Sequence, residues 1–124
     1  MDSRTAFKKI LVIDDDELFL KPLIKYLTMM KYQVNKANRG DHGLDLHKTL
    51  QFDLIITDLR MEGINGLEVI KLINENHPGT KIIVISGFVN EDEFGEIRDN
   101  KSVVGIFQKP VDYNTLNEKI REVV

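Results

Sequence analysis

The chain has 124 residues, about the size of one domain, and this length is enough to bury a core without disulfides or a structural metal. It carries 17 Lys and Arg against 20 Asp and Glu, and the resulting formal net charge of -3 does not favour nucleic acid as a direct partner. The absence of cysteine excludes thiolate zinc sites and thiol nucleophiles, and it fits a reducing compartment such as the cytoplasm. At the amino terminus, residues 1–9 are polar, and neither they nor any later segment predict a signal peptide or a membrane span. We expect one cytoplasmic domain, residues 1–124, with its core at about 8–124.

The first part of the chain predicts two strands, each followed by a helix. A short apolar run at 10–13 predicts a buried strand, and a weaker strand is predicted at the edge of the sheet at 33–37, where Val34 alternates with polar neighbours. Apolar residues at helical spacing predict the two helices: Phe19, Leu23, Leu27 and Met30 for the first, and Gly43, Leu46 and Leu50 for the second. Because Pro22 lies beyond the first turn of the first helix, we predict a kink there or a late start of the helix.

The second part of the chain continues the alternation. Apolar runs rich in β-branched residues predict buried strands at 54–56, 82–85 and 103–107. Helical spacing predicts two of the helices: Val69 and Ile73 for one, and Leu116, Ile120 and Val123 for the last. Five strands, each followed by a helix, imply right-handed crossovers and a parallel sheet covered on both faces. The predicted fold is a single doubly wound α/β domain with the flavodoxin-like strand order 2-1-3-4-5.

Four aspartates directly follow two of these strands. Asp14, Asp15 and Asp16 come after the first strand, and Asp58 comes after the third. The first and third strands are neighbours in the predicted order, and ligand sites of parallel sheets form at the carboxyl ends of strands, so Asp14, Asp15 and Asp58 are expected to meet there. Converging carboxylates require a cation, and Mg²⁺ fits best because it prefers oxygen ligands and leaves room for a phosphate oxygen. The cluster therefore predicts a phosphoryl-transfer site.

Each residue also has an ordinary structural interpretation. Asp16 is expected to cap the first helix, Asp14 with Glu17 resembles a capping box, and Asp58 taken alone is compatible with a loop carboxylate. Ser86 after the fourth strand and Lys109 after the fifth are ordinary residues for the ends of strands. A Ser hydroxyl can donate to a phosphoryl oxygen and a Lys ammonium can neutralise its charge, so all of them together at one edge favour phosphoryl chemistry.

From about Lys8 to Val124 the chain resembles a response-regulator receiver domain of two-component signalling. The resemblance rests on motifs in the right order and spacing: Ile13-Asp14-Asp15-Asp16-Glu17, Asp58-Leu59-Arg60-Met61 with Gly66-Leu67-Glu68 behind it, Ser86, and Lys109-Pro110. It implies that Asp58 is the phosphorylated nucleophile and that Ser86 and Lys109 hold the phosphoryl group. It also implies the ligands of Mg²⁺, which would be Asp14, Asp15, Asp58 and the backbone carbonyl of Arg60.

The same resemblance implies partners and a switch. The phosphodonor would be a sensor histidine kinase or a phosphotransfer protein, and an output protein or domain would dock on the face formed by helix four, strand five and helix five. The chain departs from the family at Glu62, where a Pro is common, and at the switch position Ile106, where an aromatic residue is usual. Arg60 and Phe88 occupy the two positions that control water access in the family, and we predict slow self-dephosphorylation from their size.

Two alternatives stay open at this point. Glu62 and Ile106 motivate a degenerate receiver that binds partners without phosphorylation. Asp14 and Asp16 match the Asp-x-Asp nucleophile motif of haloacid-dehalogenase-type phosphatases, although Glu17 and the residue after it do not continue that motif.

The three histidines are not expected to belong to the site. His42 and His47 are five residues apart on a presumed helix, which is not the spacing of a metal-binding pair, and His77 precedes a proline. All three are predicted to be surface residues.

Overall fold

The computed structural model describes residues 8–124. We expected no signal peptide in the amino-terminal segment 1–9, and most of that segment lies outside the described residues. The strands are β1 (Lys9–Ile13), β2 (Gln33–Ala37), β3 (Leu54–Thr57), β4 (Lys81–Ser86) and β5 (Val103–Gln108). The helices are α1 (Glu17–Met29), α2 (Gly40–Leu50), α3 (Gly66–Asn76), α4 (Glu91–Arg98) and α5 (Tyr113–Val123). None of the helices in the described range has the length and apolar character needed to cross a membrane.

All five strands are parallel and lie in the order β2-β1-β3-β4-β5. This confirms the predicted strand order and the predicted edge position of the second strand. The pairing places Ile13 beside Thr57 across β1 and β3, and Ser86 beside Gln108 across β4 and β5. Residues that directly follow these strands therefore emerge next to one another at the carboxyl edge of the sheet.

The core has two layers because alternate side chains of each strand point to opposite faces of the sheet. One layer packs β1 residues Ile10 and Val12 against α1 and α5. The other packs Leu11 and Ile13 against the side covered by α3 and α4. Since both faces are covered, the central strands are apolar along their whole length and the sheet is a rigid base for its edge.

Helix α1 begins earlier than the late start that Pro22 suggested. Asp16 caps the helix by accepting a hydrogen bond from the Leu18 N–H at 3.0 Å, as the sequence predicted, and Pro22 lies inside the helix on its exposed side. The late start is therefore wrong. The cap, together with the buried face that includes Leu20 and Leu23, outweighs the backbone hydrogen bond that the proline removes. The kink stays a prediction.

Helix α2 buries part of the predicted face, since Gly43 is buried and Leu46 packs half-buried against the core. Its buried residues are Gly40, Gly43 and His47, whereas Leu50 is 39% exposed. The prediction that His47 is a surface residue is wrong, because both of its ring nitrogens have partners inside the protein. Nε2 lies 2.9 Å from the Thr80 hydroxyl, and Nδ1 accepts a hydrogen bond from the Phe52 N–H at 3.0 Å.

The other two histidines differ from His47 in burial. His77 is half-buried, with its ring edge-on to that of His47 at a centroid distance of 4.4 Å, and His42 is exposed.

In α1, Met30 was expected on the buried face, but it lies just past the end of the helix and is 39% exposed.

Candidate functional site

Backbone hydrogen bonds continue one residue past the strand ends and fix three of the predicted site residues at the carboxyl edge. Asp14 N–H donates to the Ala37 carbonyl at 3.0 Å, Asp58 N–H donates to Ile13 at 3.1 Å, and Lys109 N–H donates to Ser86 at 2.9 Å. The positions of these side chains therefore follow from the sheet itself and not from the conformation of free loops.

The ammonium of Lys109 lies between two buried carboxylates. Its Nζ is 2.8 Å from Asp14 Oδ2 and 3.1 Å from Asp58 Oδ2. Asp14 is 1% exposed and Asp58 6% exposed, so these charges interact with little screening by water. The structure thus brings together the three residues at the ends of β1, β3 and β5 that the sequence singled out.

The second oxygen of Asp58 is held by the loop that follows it. Oδ1 accepts hydrogen bonds from the Leu59 N–H at 2.6 Å and from the Arg60 N–H at 3.2 Å. The loop returns to Asp58 at Gly66, whose N–H donates to the Leu59 carbonyl at 3.1 Å. A side chain at Gly66 would clash with the Asp58 carbonyl and lie 2.6 Å from the Leu59 Cα, so only glycine allows this approach. Gly66 belonged to the motif that carried the family resemblance, but its positioning role was not foreseen.

Asp14 is the carboxylate with incomplete hydrogen bonding. Its Oδ1 accepts from the Asp16 N–H at 2.9 Å, but its buried Oδ2 has no aligned donor among the described residues and is only in ionic contact with Lys109. Burial raises the pKa of Asp14, and the Lys109 ammonium and the Asp16 N–H oppose this effect only partly. Burial lowers the pKa of Lys109, but Asp14 and Asp58 together outweigh it, so the pKa is raised overall.

The predicted trio of carboxylates is not assembled as a set of three. Within residues 8–124, no group of three or more His, Asp or Glu side chains is placed to hold a metal ion, and Asp15 is exposed. Asp14 and Asp58 share Lys109 instead. The buried Asp14 Oδ2 without an aligned donor nevertheless fits a hard cation, because such an oxygen gains most from a ligand of high charge. The available donors are all oxygens, which suit Mg²⁺ and not a soft metal.

Ser86 lies at the same edge but faces another partner. It ends β4, is fully buried, and donates its hydroxyl to the Phe88 carbonyl at 3.2 Å. Ile106 pairs with Val84 across β4 and β5 and is half-buried against the core layer on the α3 and α4 side. The hydroxyl is thus engaged with the loop that leads to α4.

Arg60 connects the loop after β3 to α4. Its Nη2 forms an ion pair with Glu93 Oε1 at 2.5 Å, and its guanidinium lies 5.6 Å from the centre of the Phe88 ring. Glu93 is 8% exposed, and it also closes a capping box with Asn90 at the start of α4. The Asn90-x-x-Glu93 spacing is a capping-box pattern that could have located Glu93, but its pairing with Arg60 joins residues far apart in the chain.

A doubly wound five-stranded sheet with two acidic residues and a lysine at its carboxyl edge defines the class of receiver-type domains. The family model described as response regulator receiver domain matches residues 10–121, and the chain belongs to this family.

The chain is also similar to parts of two curated proteins. The autoinducer 1 sensor kinase/phosphatase LuxN of Vibrio campbellii is 32% identical over 107 residues, which cover 86% of this chain and 12% of that protein. The transcriptional regulatory protein GlrR of Escherichia coli is 31% identical over 120 residues, which cover 93% of this chain and 26% of that protein. The chain thus spans about an eighth to a quarter of these two relatives.

Solved structures agree with the fold. A response regulator receiver domain protein (CheY-like) from Methanospirillum hungatei superposes with a TM-score of 0.90 at 26% identity, covering 94% of this chain and 93% of that one. A response regulator receiver protein from Pseudomonas putida superposes with a TM-score of 0.86 at 32% identity, covering 95% and 98% of the two chains.

Proposed function

We propose that Asp58 accepts a phosphoryl group from a phosphohistidine of a sensor kinase or phosphotransfer protein in the cytoplasm. The observation that carries this proposal is the contact of Lys109 with both Asp58 and Asp14 at the carboxyl edge of a receiver domain. A buried carboxylate next to a fixed ammonium is a nucleophile whose product charge is already compensated.

The transfer makes one bond and breaks one. An oxygen of the Asp58 carboxylate attacks phosphorus in line, the phosphorus–nitrogen bond of the phosphoimidazole breaks, and the imidazole leaves with its bonding electron pair and takes up a proton. The product is a mixed anhydride of Asp58. Lys109 offsets charge on the phosphoryl oxygens, while the N–H groups of Leu59 and Arg60 keep the carboxylate oriented.

Mg²⁺ is the proposed cofactor. Asp14, Asp15, Asp58 and the backbone carbonyl of Arg60 would hold it, and it would supply further neutralisation of phosphoryl charge. The orphaned Oδ2 of Asp14 supports this part of the proposal.

Switching is proposed to run through the loop after β4. The phosphoryl oxygens would draw the Ser86 hydroxyl away from the Phe88 carbonyl, which frees the loop that carries Phe88. Phe88 and Phe94 are 61% and 44% exposed, and together with Ile106 they line an open cavity of about 390 Å³ beside β5. Because Ile106 lines this cavity, a movement of the Phe88 loop would change the face of α4, β5 and α5 without an aromatic residue at that position. This face is where we propose that an output protein or domain binds.

Phosphorylated Asp58 is expected to decay slowly. The Arg60 guanidinium lies over the Phe88 ring, so two bulky side chains from different loops meet next to the site and limit the approach of water. Replacing both by Ala should accelerate loss of the phosphoryl group, and an unchanged decay rate would contradict this part of the proposal.

The experiment that tests the proposed function is incubation with acetyl phosphate and Mg²⁺, followed by intact-mass measurement. We expect the mass of one added phosphoryl group in the unmodified chain and none in Asp58→Asn. Asp45→Asn, which makes the same chemical change at an exposed position on α2, should still take the group. If the unmodified chain takes no phosphoryl group, the degenerate receiver motivated by Glu62 and Ile106 is favoured instead.

The phosphatase alternative has little support in the structure. Asp16, the second carboxylate of its Asp-x-Asp motif, is exposed and serves as the cap of α1. Turnover of a simple phosphate ester that is lost in Asp14→Asn but kept in Asp58→Asn would revive it.

A further inference from the structure

The aromatic ring of Phe19 lies next to the Lys109 ammonium. The centre of its ring is 4.4 Å from Lys109 Nζ, closer than in the other cation–ring contacts of residues 8–124. Phe19 belongs to the first turn of α1, directly after the loop that carries Asp14, and its ring is half-buried against the core layer of α1 and α5. Lys109 is 20% exposed at its side chain, so little water competes with these three neighbours.

The face of an aromatic ring attracts a cation, and the attraction is stronger when the cation is partly desolvated. The ring accepts no conventional hydrogen bond from the ammonium, so Lys109 keeps its hydrogen bond to Asp58 and its ionic contact with Asp14. A lysine side chain has a flexible four-carbon stem, and two carboxylates do not fix its position by themselves. The ring adds a third contact to the ammonium.

We propose that Phe19 is a positioning residue for Lys109, a role whose catalytic consequence rests on the proposed phosphorylation of Asp58. The reaction alters one carboxylate partner of Lys109 directly, because Asp58 becomes an anhydride and its charge moves to the phosphoryl oxygens. Phe19 is a partner that the reaction leaves unchanged. The ring therefore keeps the ammonium in place while its charge partner moves from the carboxylate to the phosphoryl group.

The purely structural alternative is that Phe19 only fills the core layer of α1 and α5. Phe19→Leu separates the two roles, since it keeps an apolar side chain but removes the aromatic face, and Phe19→Tyr should restore the face. With acetyl phosphate and Mg²⁺ as the phosphodonor mixture, we expect Phe19→Leu to be phosphorylated about 2- to 30-fold more slowly, the range of a cation–π contact of about 0.5–2 kcal/mol. Phe19→Tyr should stay within about twofold of the unmodified chain.

A double-mutant cycle with Lys109→Met identifies the route of the effect. If Phe19 acts through Lys109, then Phe19→Leu has no further effect on the rate in the Lys109→Met background. A structural role would instead slow both backgrounds by the same factor. Leu18→Ala provides the neighbouring control, because Leu18 is 89% exposed on the same turn, and its rate should be unchanged.

A second measurement does not depend on phosphorylation. The ε-methylene protons of Lys109 should show a ring-current shift in the nuclear magnetic resonance spectrum of the unmodified chain and of Phe19→Tyr. In Phe19→Leu this shift should be lost. Equal shifts in Phe19→Leu and the unmodified chain would overturn the positioning role, as would an unchanged phosphorylation rate in Phe19→Leu. Failure of the unmodified chain to take a phosphoryl group would instead refute the proposed function. The ring-current shift of Lys109 would still show whether the Phe19 ring lies next to the ammonium.

Discussion

Polar side chains are buried at both ends of the strands, but their hydrogen bonding and charge differ. At the amino edge, where the parallel strands begin, the buried His47 is uncharged and both of its ring nitrogens are hydrogen-bonded, to Thr80 and Phe52. At the carboxyl edge, Asp14 and Asp58 share one ammonium, and one oxygen of Asp14 has no aligned donor within the described residues. Burial of a polar group alone therefore does not indicate a functional site, whereas a buried charge that is incompletely compensated does indicate one.

Acid–base behaviour follows the same division. Burial, and to a lesser extent the neighbouring His77, lowers the pKa of His47 from 6.5 to about 4, so His47 is neutral near pH 7. Burial raises the pKa of Asp14, and the two carboxylates raise that of Lys109 against the effect of burial. The carboxyl edge thus combines the ammonium of Lys109 with the carboxylates of Asp14 and Asp58. We expect the free energy of unfolding to depend on all three charges.

Removing the shared ammonium should have the largest effect. In Lys109→Met two carboxylates lose their common counter-charge while they remain almost fully buried, and we expect the free energy of unfolding at pH 7 to fall by about 3–5 kcal/mol. The deficit should shrink towards pH 3, because without Lys109 the pKa of Asp14 rises further and protonation removes the repulsion. Urea unfolding at several pH values measures both effects.

Lys21→Met is the matched control for this substitution, because Lys21 is exposed on α1, and it should change the free energy of unfolding little. Equal losses in the two variants would show that the carboxyl edge does not depend on its buried ammonium. The contrast between the two edges would then be wrong.

Acidification should break the amino edge next. Since the folded-state pKa of His47 lies below its unfolded value, the unfolded chain binds the proton more readily, and stability is lost as the pH falls. The contribution is complete above pH 6.5, decreases between 6.5 and about 4, and amounts to about 3 kcal/mol over that interval. The difference in unfolding free energy between the unmodified chain and His47→Gln, measured from pH 7.5 to pH 4, isolates this contribution from the carboxylates.

His42→Gln provides the control for the titration, because His42 is exposed on the same helix. It makes the same substitution without removing a buried ring. A difference for His47→Gln that does not vary with pH would mean that burial does not lower the pKa of His47.

The hydroxyl of Thr80 should make a smaller contribution at the same edge. Thr80→Val keeps the shape of the side chain but leaves Nε2 of His47 without its partner, and we expect a loss of about 1–3 kcal/mol in unfolding free energy. Thr80→Ser retains the hydroxyl and should lose less, as judged by urea unfolding at pH 7.5. If Val and Ser are equivalent at this position, the hydrogen bond does not hold His47 in the core.

The sequence predicted the sheet and the position of Asp58 at its carboxyl edge, for a physical reason. Strands β1, β3 and β4 are covered on both faces, so their apolar runs are continuous, and the residues that follow them are placed by the register of the strands. In α2 the sequence did not predict the burial of His47, because histidine is polar and its two hydrogen-bond partners lie outside the helix. Hydropathy carries no information about such partners.

Contacts between loops were missed for a similar reason. Phe19 has the helical spacing of a core residue, and nothing in that spacing shows that its ring faces Lys109. The sequence placed Lys109 at the same edge as Asp14 and Asp58, but not its contact with both carboxylates. Strand order predicts which residues share an edge, but the lengths and directions of their side chains decide which of them are in contact.

The smallest expected effect concerns the ion pair between Arg60 and Glu93, which is charged like the rest of the carboxyl edge but more exposed. The side chain of Arg60 is 51% exposed, so the pair should contribute less than about 1 kcal/mol. Glu93→Gln removes its charge and retains an oxygen that can accept the Asn90 N–H of the capping box, so α4 should keep its start. A double-mutant cycle with Arg60→Gln in urea unfolding measures the coupling, with Glu91→Gln in the same turn as the control. A coupling near that of the Lys109 cluster would show that charge at this edge matters regardless of exposure, whereas a small one would restrict the strong electrostatics to the buried centre around Asp58.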